Sequence, residues 1–351
     1  MQVHLARTVR PNEIMISWTS PYNDAQTVEW NVLNVPTQWH VSDPALTSTY
    51  TRSDVCGVPA STQGWQNPGF LHHATVSLDG VDVAGQWINY TVGSALHGRT
   101  PPNTFKAPRS PGMETPVRVI AMADLGYGHP DHASGHMVYP NSTRTTTHAA
   151  KFVEGADLVL HNGDIAYATG YLTCWEKFMS QIEPLASRLP YMTSQGNHER
   201  DFGLEAPNGS IYRLPHDETA FPGDTGGSGP KPTSPDLKYG GHPSGGECGV
   251  PMQSRFVMPT PEGVSADDGW YSFDQGSIHF ITIATEMHCG PNSRQLTWVE
   301  QDLSSVNRSL TPWIILMGSV VHAAISLYLS PTFSCYLCFF VFLYALTMAV
   351  S

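Results

Sequence analysis

The fold is decided by residues 158–167, which read Leu158-Val159-Leu160-His161-Asn162-Gly163-Asp164-Ile165-Ala166-Tyr167. A continuous apolar run at the start of such a stretch is typical of a strand buried on both faces, as in the parallel sheets of α/β proteins. The run is followed by a glycine, which lets backbone approach closely, and by an aspartate, which supplies a carboxylate. Because α/β sheets assemble their sites at the carboxyl ends of strands, this stretch predicts an α/β domain with a site at Asp164.

Two further apolar runs end in the same way. Residues 117–123 are followed by Asp124-Leu125-Gly126, and residues 191–193 are soon followed by Gly196-Asn197-His198-Glu199. Asp164 lies 40 residues after Asp124 and 33 residues before Asn197, and each interval suits one strand–helix–strand crossover. The three strand ends are therefore predicted to lie side by side.

The polar residues at these strand ends are hard donors. Carboxylate, amide and phenol oxygens, here from Asp124, Asp164, Asn197 and Tyr167, suit a hard cation better than a soft one. One shared carboxylate can bridge two cations about 3.5–4 Å apart, which together hold the attacking and leaving oxygens of a phosphoryl group. One such motif alone would equally indicate a helix cap, but three in order favour a common site. Hydrolysis of a phosphate ester is the predicted reaction.

The flanking sequence divides the chain into regions with different patterns. Residues 1–98 contain short alternating strands separated by turn residues, which predicts an all-β sandwich. Residues 99–114 carry four prolines and no apolar periodicity, so we expect a linker there. Residues 115–318 alternate apolar runs with helical segments and form the predicted α/β domain, with a long Gly- and Pro-rich excursion at 202–246. Three helices are predicted, around residues 146–154, 175–188 and 292–306.

The composition narrows the classes of partner. The 351 residues include 18 Lys and Arg against 30 Asp and Glu, and the net charge is −12. Such an acidic chain is not expected to bind a nucleic-acid polymer or an anionic membrane surface. The 16 histidines are many for this length and are consistent with a metal site.

Sequons and cysteines bear on the compartment. Four Asn-x-Ser/Thr sequons, at Asn89, Asn141, Asn208 and Asn307, favour a secreted glycoprotein. The residues after Met1 read as a strand, so we expect that any signal peptide is missing from the chain. Three cysteines could pair in an oxidising compartment or stay as buried thiols, namely Cys174, Cys248 and Cys289.

The order of the three motifs closely resembles the purple acid phosphatases among the metallophosphoesterases. The resemblance rests on the Asp124, Asp164 and Gly196 motifs described above, and it extends to residues 246–251, 270–273 and 276–280. It covers residues 2–318 and favours the larger, plant-type members of the family. Those members carry a fibronectin III-like sandwich before an αββα metallophosphoesterase domain, so this architecture is expected here.

The resemblance implies a role for each motif residue. Asp124 and Tyr167 would bind a ferric ion, Asp164 would bridge two metals, and Asn197 would bind the second metal, which is Zn, Mn or Fe in the family. His198 would face the substrate, where an imidazole can hydrogen-bond the phosphate or protonate the leaving alkoxide. The implied activity is that of an acid phosphatase on small phosphate esters. Nucleotide phosphodiester or pyrophosphate bonds are the alternative substrate class.

The sequence departs from the family pattern at Ser319. The family has a histidine there and two more in a later Gly-His-x-His, and none of the three is recognisable in this chain. The second metal would keep only Asp164 and Asn197 as protein ligands, so we expect it to bind weakly. Other histidines could supply an imidazole instead, namely His322 and, with less support, His129, His132 and His136.

Residues 319–351 form a divergent apolar tail without a charged residue. Within it, residues 332–350 are about as long as a bilayer-spanning helix, so a membrane-anchored chain is the alternative to a secreted one. We favour the other interpretation, in which the tail is unrelated sequence that replaces the last strands and leaves an unpaired sheet edge. The competing hypothesis for function is accordingly an inactive, C-terminally truncated chain.

Overall fold

The computed structural model describes residues 1–319 apart from 36, 82, 84, 130, 132–136, 201–203, 206–210, 213–243, 266–267 and 288–292. For residues 204–205, 211–212, 335–336 and 344–346 it describes only the backbone. The helices are α1 Ser142–Ala150, α2 Thr173–Ala186, α3 Val250–Arg255 and α4 Arg294–Ser305. The strands are β1 His4–Arg7, β2 Glu13–Ser20, β3 Thr27–Val32, β4 His40–Val41, β5 Leu46–Ser48, β6 Phe70–Ser77, β7 Trp87–Ser94, β8 Gly98–Arg99, β9 Asn103–Lys106, β10 Val119–Met122, β11 Leu158–Asn162, β12 Tyr191–Ser194, β13 Leu204–Glu205, β14 Ile211–Tyr212, β15 Tyr271–Gln275, β16 Ile278–Thr282, β17 Trp313–Met317, β18 Cys335–Tyr336 and β19 Tyr344–Leu346.

The first nine strands form two packed antiparallel sheets. One sheet has the order β1-β2-β6-β5, and the other has the order β4-β3-β7-β8, with β9 also pairing with β7. Alternate side chains point into the space between the sheets, where Ile16 and Trp18 of β2 share one core with Val28 and Tyr90. The period-two apolar pattern therefore builds two β-layers, while a fibronectin-like topology stays a prediction.

The boundary of this region differs from the predicted one at residue 98. β8 and β9 both pair with β7, so the sheet continues to Lys106, inside the stretch predicted to be a linker. Phe105 is fully buried in the core between the sheets. Burial of this aromatic side chain stabilises the strand although Pro101 and Pro102 directly precede it.

The second region has four layers. β10, β11 and β12 form a parallel sheet, and β15, β16, β17, β19 and β18 form a mixed sheet. Leu158 and Leu160 of β11 pack against the mixed sheet, whereas Val159 packs against the outer helices α1 and α2. On the far side, α4 covers the mixed sheet through Val299 and Leu303. This is the αββα arrangement that the resemblance implied.

Several local expectations changed. α1 begins at Ser142, earlier than predicted, and α3 was not predicted at all. The prediction that β17 has an unpaired edge was wrong. The strand β19 pairs with it, with Leu316 opposite Tyr344. Most of the predicted excursion and of the proposed membrane stretch lies outside the described residues. Among the residues that are described, no helix is long and apolar enough to cross a membrane.

The two regions are joined by buried contacts. Cys56 of the first region and Cys248 of the second form a disulfide, while Cys174 is a free thiol and Cys289 lies outside the described residues. The Tyr90 hydroxyl donates a hydrogen bond to the carbonyl of Ser187 at 2.6 Å. The first region is therefore fixed against the domain that carries the predicted site.

Candidate metal centre

The three motif loops meet at the carboxyl ends of β10, β11 and β12. The backbone N–H of Asp124 donates to the carbonyl of Gly163 at 3.2 Å, and that of Gly126 donates to the carbonyl of Ile165 at 3.0 Å. The two loops thus continue the parallel pairing of their strands for a few residues. The side-by-side placement expected from the spacing of the motifs is present in the structure.

Tyr167 connects the two aspartates. Its hydroxyl oxygen lies 2.8 Å from Oδ1 of Asp124 and 3.0 Å from Oδ2 of Asp164. All three residues have left-handed backbone, with φ of 53° at Asp124 and 48° at both Asp164 and Tyr167. Such a backbone costs a non-glycine residue about 1–3 kcal/mol and persists only where the surrounding structure imposes it. The fold therefore directs three oxygen donors to one point despite this cost.

Asn197 and His198 follow on the loop after β12. The backbone N–H of His198 donates to Oδ1 of Asp164 at 3.1 Å, and its ring lies 4.4 Å from the ring of Tyr167 between centroids. The Nδ1 atom of His198 is buried and has no hydrogen-bond partner among the described residues. Asn197 is half-buried in the same turn, and no described contact joins its side chain to the other four residues.

Two glycines allow the loops to approach this closely. A Cβ atom at Gly196 would lie 2.2 Å from Oδ1 of Asp164, and one at Gly163 would lie 2.0 Å from Oγ of Ser319. Oγ of Ser319 would also lie 2.8 Å from a Cβ at Gly196. Ser319, two residues after the end of β17, therefore reaches the centre, and it brings a hydroxyl where the resemblance predicted an imidazole.

The electrostatics of the three oxygens favour a cation. Burial raises the pKa of the Asp164 carboxyl, and the charge of Asp124 adds to the rise, although His198 opposes it. Burial and the charge of Asp164 also raise the pKa of the Tyr167 phenol far above its usual value. A positive charge among these oxygens would reverse both shifts, because it favours the deprotonated forms. The donor set therefore fits a hard cation.

The described residues add no cluster of histidines to Asp164 and Asn197. In the described part of the chain, no group of three or more His, Cys, Asp or Glu side chains is placed to hold a metal ion. The set above contains two, Asp124 and Asp164, and its other donors are phenol and amide oxygens. His129, one of the candidate imidazoles, pairs with Asp131 at 2.6 Å on the surface. The other candidates, His132, His136 and His322, lie outside the described residues.

Two residues of the centre were missed by sequence reasoning. Glu199 is 1% exposed, and its carboxylate accepts hydrogen bonds from two backbone N–H groups of the motif loops. Asn162 donates from Nδ2 to the carbonyl of Gly318 at 2.7 Å and accepts at Oδ1 from the Ser194 hydroxyl at 2.9 Å. Both residues lie inside or beside a motif, and that position was the only sequence signal for them. It does not identify their hydrogen-bond partners.

Comparison with known proteins gives the family of the chain. The calcineurin-like phosphoesterase family model matches residues 117–339. Similar curated proteins include the "Probable inactive purple acid phosphatase 27" of Arabidopsis thaliana, 35% identical over 88% of this chain and 45% of that protein. The nucleotide pyrophosphatase/phosphodiesterase of Hordeum vulgare is 33% identical over 61% of this chain and 50% of that protein. The chain spans about half the length of these relatives.

A solved structure shows the same fold. A purple acid phosphatase isolated from yellow lupin (Lupinus luteus) seeds matches with a TM-score of 0.74 and 32% identity, over 90% of this chain and 50% of the lupin chain. The family model runs to residue 339, beyond the predicted end of the resemblance at residue 318, while the lupin structure covers 90% of the chain. The strand β18 lies within the matched range. The chain thus belongs to the calcineurin-like phosphoesterase family, and its relatives include purple acid phosphatases.

Proposed function

We propose that this chain is a metal-dependent hydrolase of small phosphate esters, of the acid phosphatase type. The observation that carries the proposal is the convergence of the Tyr167 hydroxyl with the carboxylates of Asp124 and Asp164, at 2.8 and 3.0 Å. Two carboxylates and a phenol suit a ferric ion, which is the cation we assign to them. Asp164 and Asn197 would hold a second cation, Zn, Mn or Fe, more weakly because they are only two ligands.

His198 is the residue we place against the substrate. Its backbone N–H is fixed on Asp164, and its buried Nδ1 has no partner among the described residues. An imidazole held in this way can donate a hydrogen bond to a phosphate oxygen or a proton to the leaving alkoxide. When bound, the cations would polarise the phosphoryl group and lower the pKa of water. Nucleotide pyrophosphate or phosphodiester bonds remain the alternative substrate class, as in the name of the Hordeum vulgare relative.

The proposed compartment is outside the cytosol. The Cys56–Cys248 disulfide suits an oxidising environment, and the sequon residues Asn141 and Asn307 are exposed. Glycosylation and secretion of the chain are proposed on this support, with membrane anchoring as the alternative. The partner we propose is a small phosphate ester rather than a nucleic-acid polymer, in keeping with the net charge of −12.

A second candidate function is phosphate binding without turnover. It is favoured by Ser319, whose hydroxyl reaches the centre where the family pattern has an imidazole. The Arabidopsis thaliana relative is itself named as a probable inactive phosphatase. In this alternative the first cation is held by Asp124, Asp164 and Tyr167, but the second is too weakly bound to complete the site.

The test combines iron retention with turnover. The wild-type chain is expected to retain iron through gel filtration and to hydrolyse p-nitrophenyl phosphate at about pH 5. Tyr167→Phe keeps the ring against His198 but removes one donor, so iron retention should fall about tenfold or more. Tyr90→Phe is the matched control, because it removes a buried hydroxyl that bonds to the carbonyl of Ser187 between the two regions, away from the motif loops.

The outcomes separate the two candidates. Iron retention together with turnover supports the hydrolase. Iron retention without turnover, after addition of zinc or manganese, supports phosphate binding alone. A chain that retains no iron, or that loses it no faster after Tyr167→Phe than after Tyr90→Phe, contradicts the proposed centre.

A further inference from the structure

We propose that Glu199 is a positioning residue that locks together the two loops on which the shared aspartate and the asparagine of the metal centre lie. The inference rests on the proposed function, because it concerns how that same site is held. Glu199 itself would contact neither a cation nor a substrate. Its role would be exerted through the backbone of its neighbours.

The evidence is a pair of hydrogen bonds from one buried carboxylate. Oε1 of Glu199 accepts from the backbone N–H of Ile165 at 2.8 Å, and Oε2 accepts from the backbone N–H of Gly196 at 3.1 Å. Ile165 directly follows Asp164, and Gly196 directly precedes Asn197. One side chain therefore fixes the peptide units next to two proposed ligands that are 33 residues apart.

The backbone of Glu199 extends this connection to a third segment. Its carbonyl accepts from the N–H of Gly249 at 2.8 Å, one residue after the disulfide-bonded Cys248. The turn that contains Asn197 and His198 is thereby held from both sides, by the Asp164 loop and by the segment tied to the first region. A displacement of Glu199 would be passed to both ligand-bearing loops together.

The chemistry explains why a glutamate is needed here. Glu199 is 1% exposed, and a carboxylate is buried at a cost unless hydrogen bonds compensate for the lost water. Its two oxygens accept from donors on different loops, so both oxygens are used. A glutamine would turn an NH₂ group toward one of the two N–H donors, and that donor would be left unpaired. An aspartate is one methylene shorter and could not span the same two N–H groups.

A second buried carboxylate provides the matched control. Asp157 is 8% exposed, accepts from the backbone N–H of Arg118 at 2.8 Å and pairs with Arg109 at 2.9 Å. It precedes β11 at the end opposite to Asp164. Asp157→Asn therefore removes the charge of a buried carboxylate that also bonds a backbone N–H, without touching the motif loops.

The decisive experiment is amide hydrogen exchange on the full chain without added metal. In Glu199→Gln, exchange of peptides covering 163–167 and 195–198 should accelerate together by about tenfold or more, relative to the rest of the chain. Asp157→Asn should leave these two segments protected. Unchanged protection in Glu199→Gln, or acceleration of the two segments only in proportion to the rest of the chain, would overturn the positioning role.

A chelator challenge of the iron-loaded proteins separates this role from the proposed function. Iron should be lost about tenfold faster from Glu199→Gln than from Asp157→Asn, with Glu199→Asp in between. If the wild-type chain holds no iron, the proposed function fails, and the exchange measurement still decides the role of Glu199. If iron is held and both variants lose it at the same rate, the positioning role fails while the metal centre stands.

Discussion

The two halves of the candidate metal centre differ in how closely the described residues bring their donors together. The Tyr167 half consists of Asp124, Asp164 and Tyr167. One carboxylate oxygen of each aspartate lies within 3.0 Å of the phenol oxygen. The Ser319 half would draw on Asp164, Asn197 and Ser319, and no described contact joins the Asn197 side chain to Asp164. The same αββα scaffold carries both. A family fold alone therefore does not define the site, and function must be argued from the ligands that the described residues supply.

The largest effect is expected from Asp164→Asn, because Asp164 belongs to both halves. The amide keeps the shape of the side chain and can still accept from the N–H of His198, but it carries no negative charge for a cation. We expect iron retention to fall by at least about 100-fold and turnover to fall with it. Iron per chain after dialysis against a chelator, together with the rate on p-nitrophenyl phosphate, measures the change.

Asp268→Asn is the control for this variant. Asp268 is 1% exposed, pairs with Arg294 at 3.2 Å and accepts from the backbone N–H of Ser265, outside the motif loops. This variant tests whether removal of any buried carboxylate lowers iron retention by destabilising the chain in general. If Asp164→Asn keeps as much iron as Asp268→Asn, then Asp164 is not the shared ligand and the division into two halves is wrong.

A smaller effect, and a gain, is expected from Ser319→His. The Ser319 hydroxyl lies beside Gly163 and Gly196, so a side chain at this position reaches the centre. An imidazole would give the Ser319 half a nitrogen donor, and zinc or manganese should bind about tenfold more tightly to the iron-loaded chain. Iron held by the Tyr167 half should not change. A calorimetric titration with zinc or manganese measures the affinity for the second metal. The iron content per chain measures what the Tyr167 half holds.

Ser319→Phe is the matched control for size, because it introduces a ring without a ligand atom. Equal second-metal affinity in the His and Phe variants would show that filling the space, rather than ligation, matters at this position. Weaker iron binding in Ser319→His would show that the two halves compete, which would also contradict the comparison.

The sequence predicted the α/β layers well because their signal is local. Leu158 and Leu160 face the mixed sheet, while Val159 faces the helices α1 and α2. The continuous apolar run therefore correctly predicted a strand buried on both faces. β9 was missed for the opposite reason. It follows two prolines, pairs with β7 and buries one side chain, that of Phe105, whose core partners lie on other strands. A strand made by tertiary packing leaves little pattern in its own residues.

The same distinction applies to the candidate site. Asp124, Asp164 and Tyr167 could be predicted because each follows a strand end within a motif. Glu199 could not, because its partners are backbone N–H groups, which have no sequence signature. The pairing of Cys56 with Cys248 spans 192 residues, and no spacing rule selects it from the alternatives.

The smallest effect on the centre is expected from His279, which lies in the mixed sheet. Its ring nitrogens contact Asp274 at 2.6 Å and Asp302 at 2.8 Å, and the second contact ties β16 to α4. Burial lowers the pKa of His279, but the two aspartates outweigh it and raise the pKa to about 9. Because histidine in an unfolded chain titrates near pH 6.5, the stabilisation is fully present below about pH 6.5 and is lost as the pH rises through about 9.

Urea unfolding across this pH range tests how independent the Tyr167 half is. Relative to His279→Asn, the wild-type free energy of unfolding should fall by about 2–3 kcal/mol between about pH 6.5 and pH 10. Iron retention should be equal in the two proteins at about pH 6, because the donors of the Tyr167 half all follow strands of the parallel sheet. A loss of iron in His279→Asn while the chain stays folded would mean that the mixed sheet also holds the first cation. The two halves would then form one cooperative unit, and the missing imidazole at Ser319 would weaken both cations rather than one.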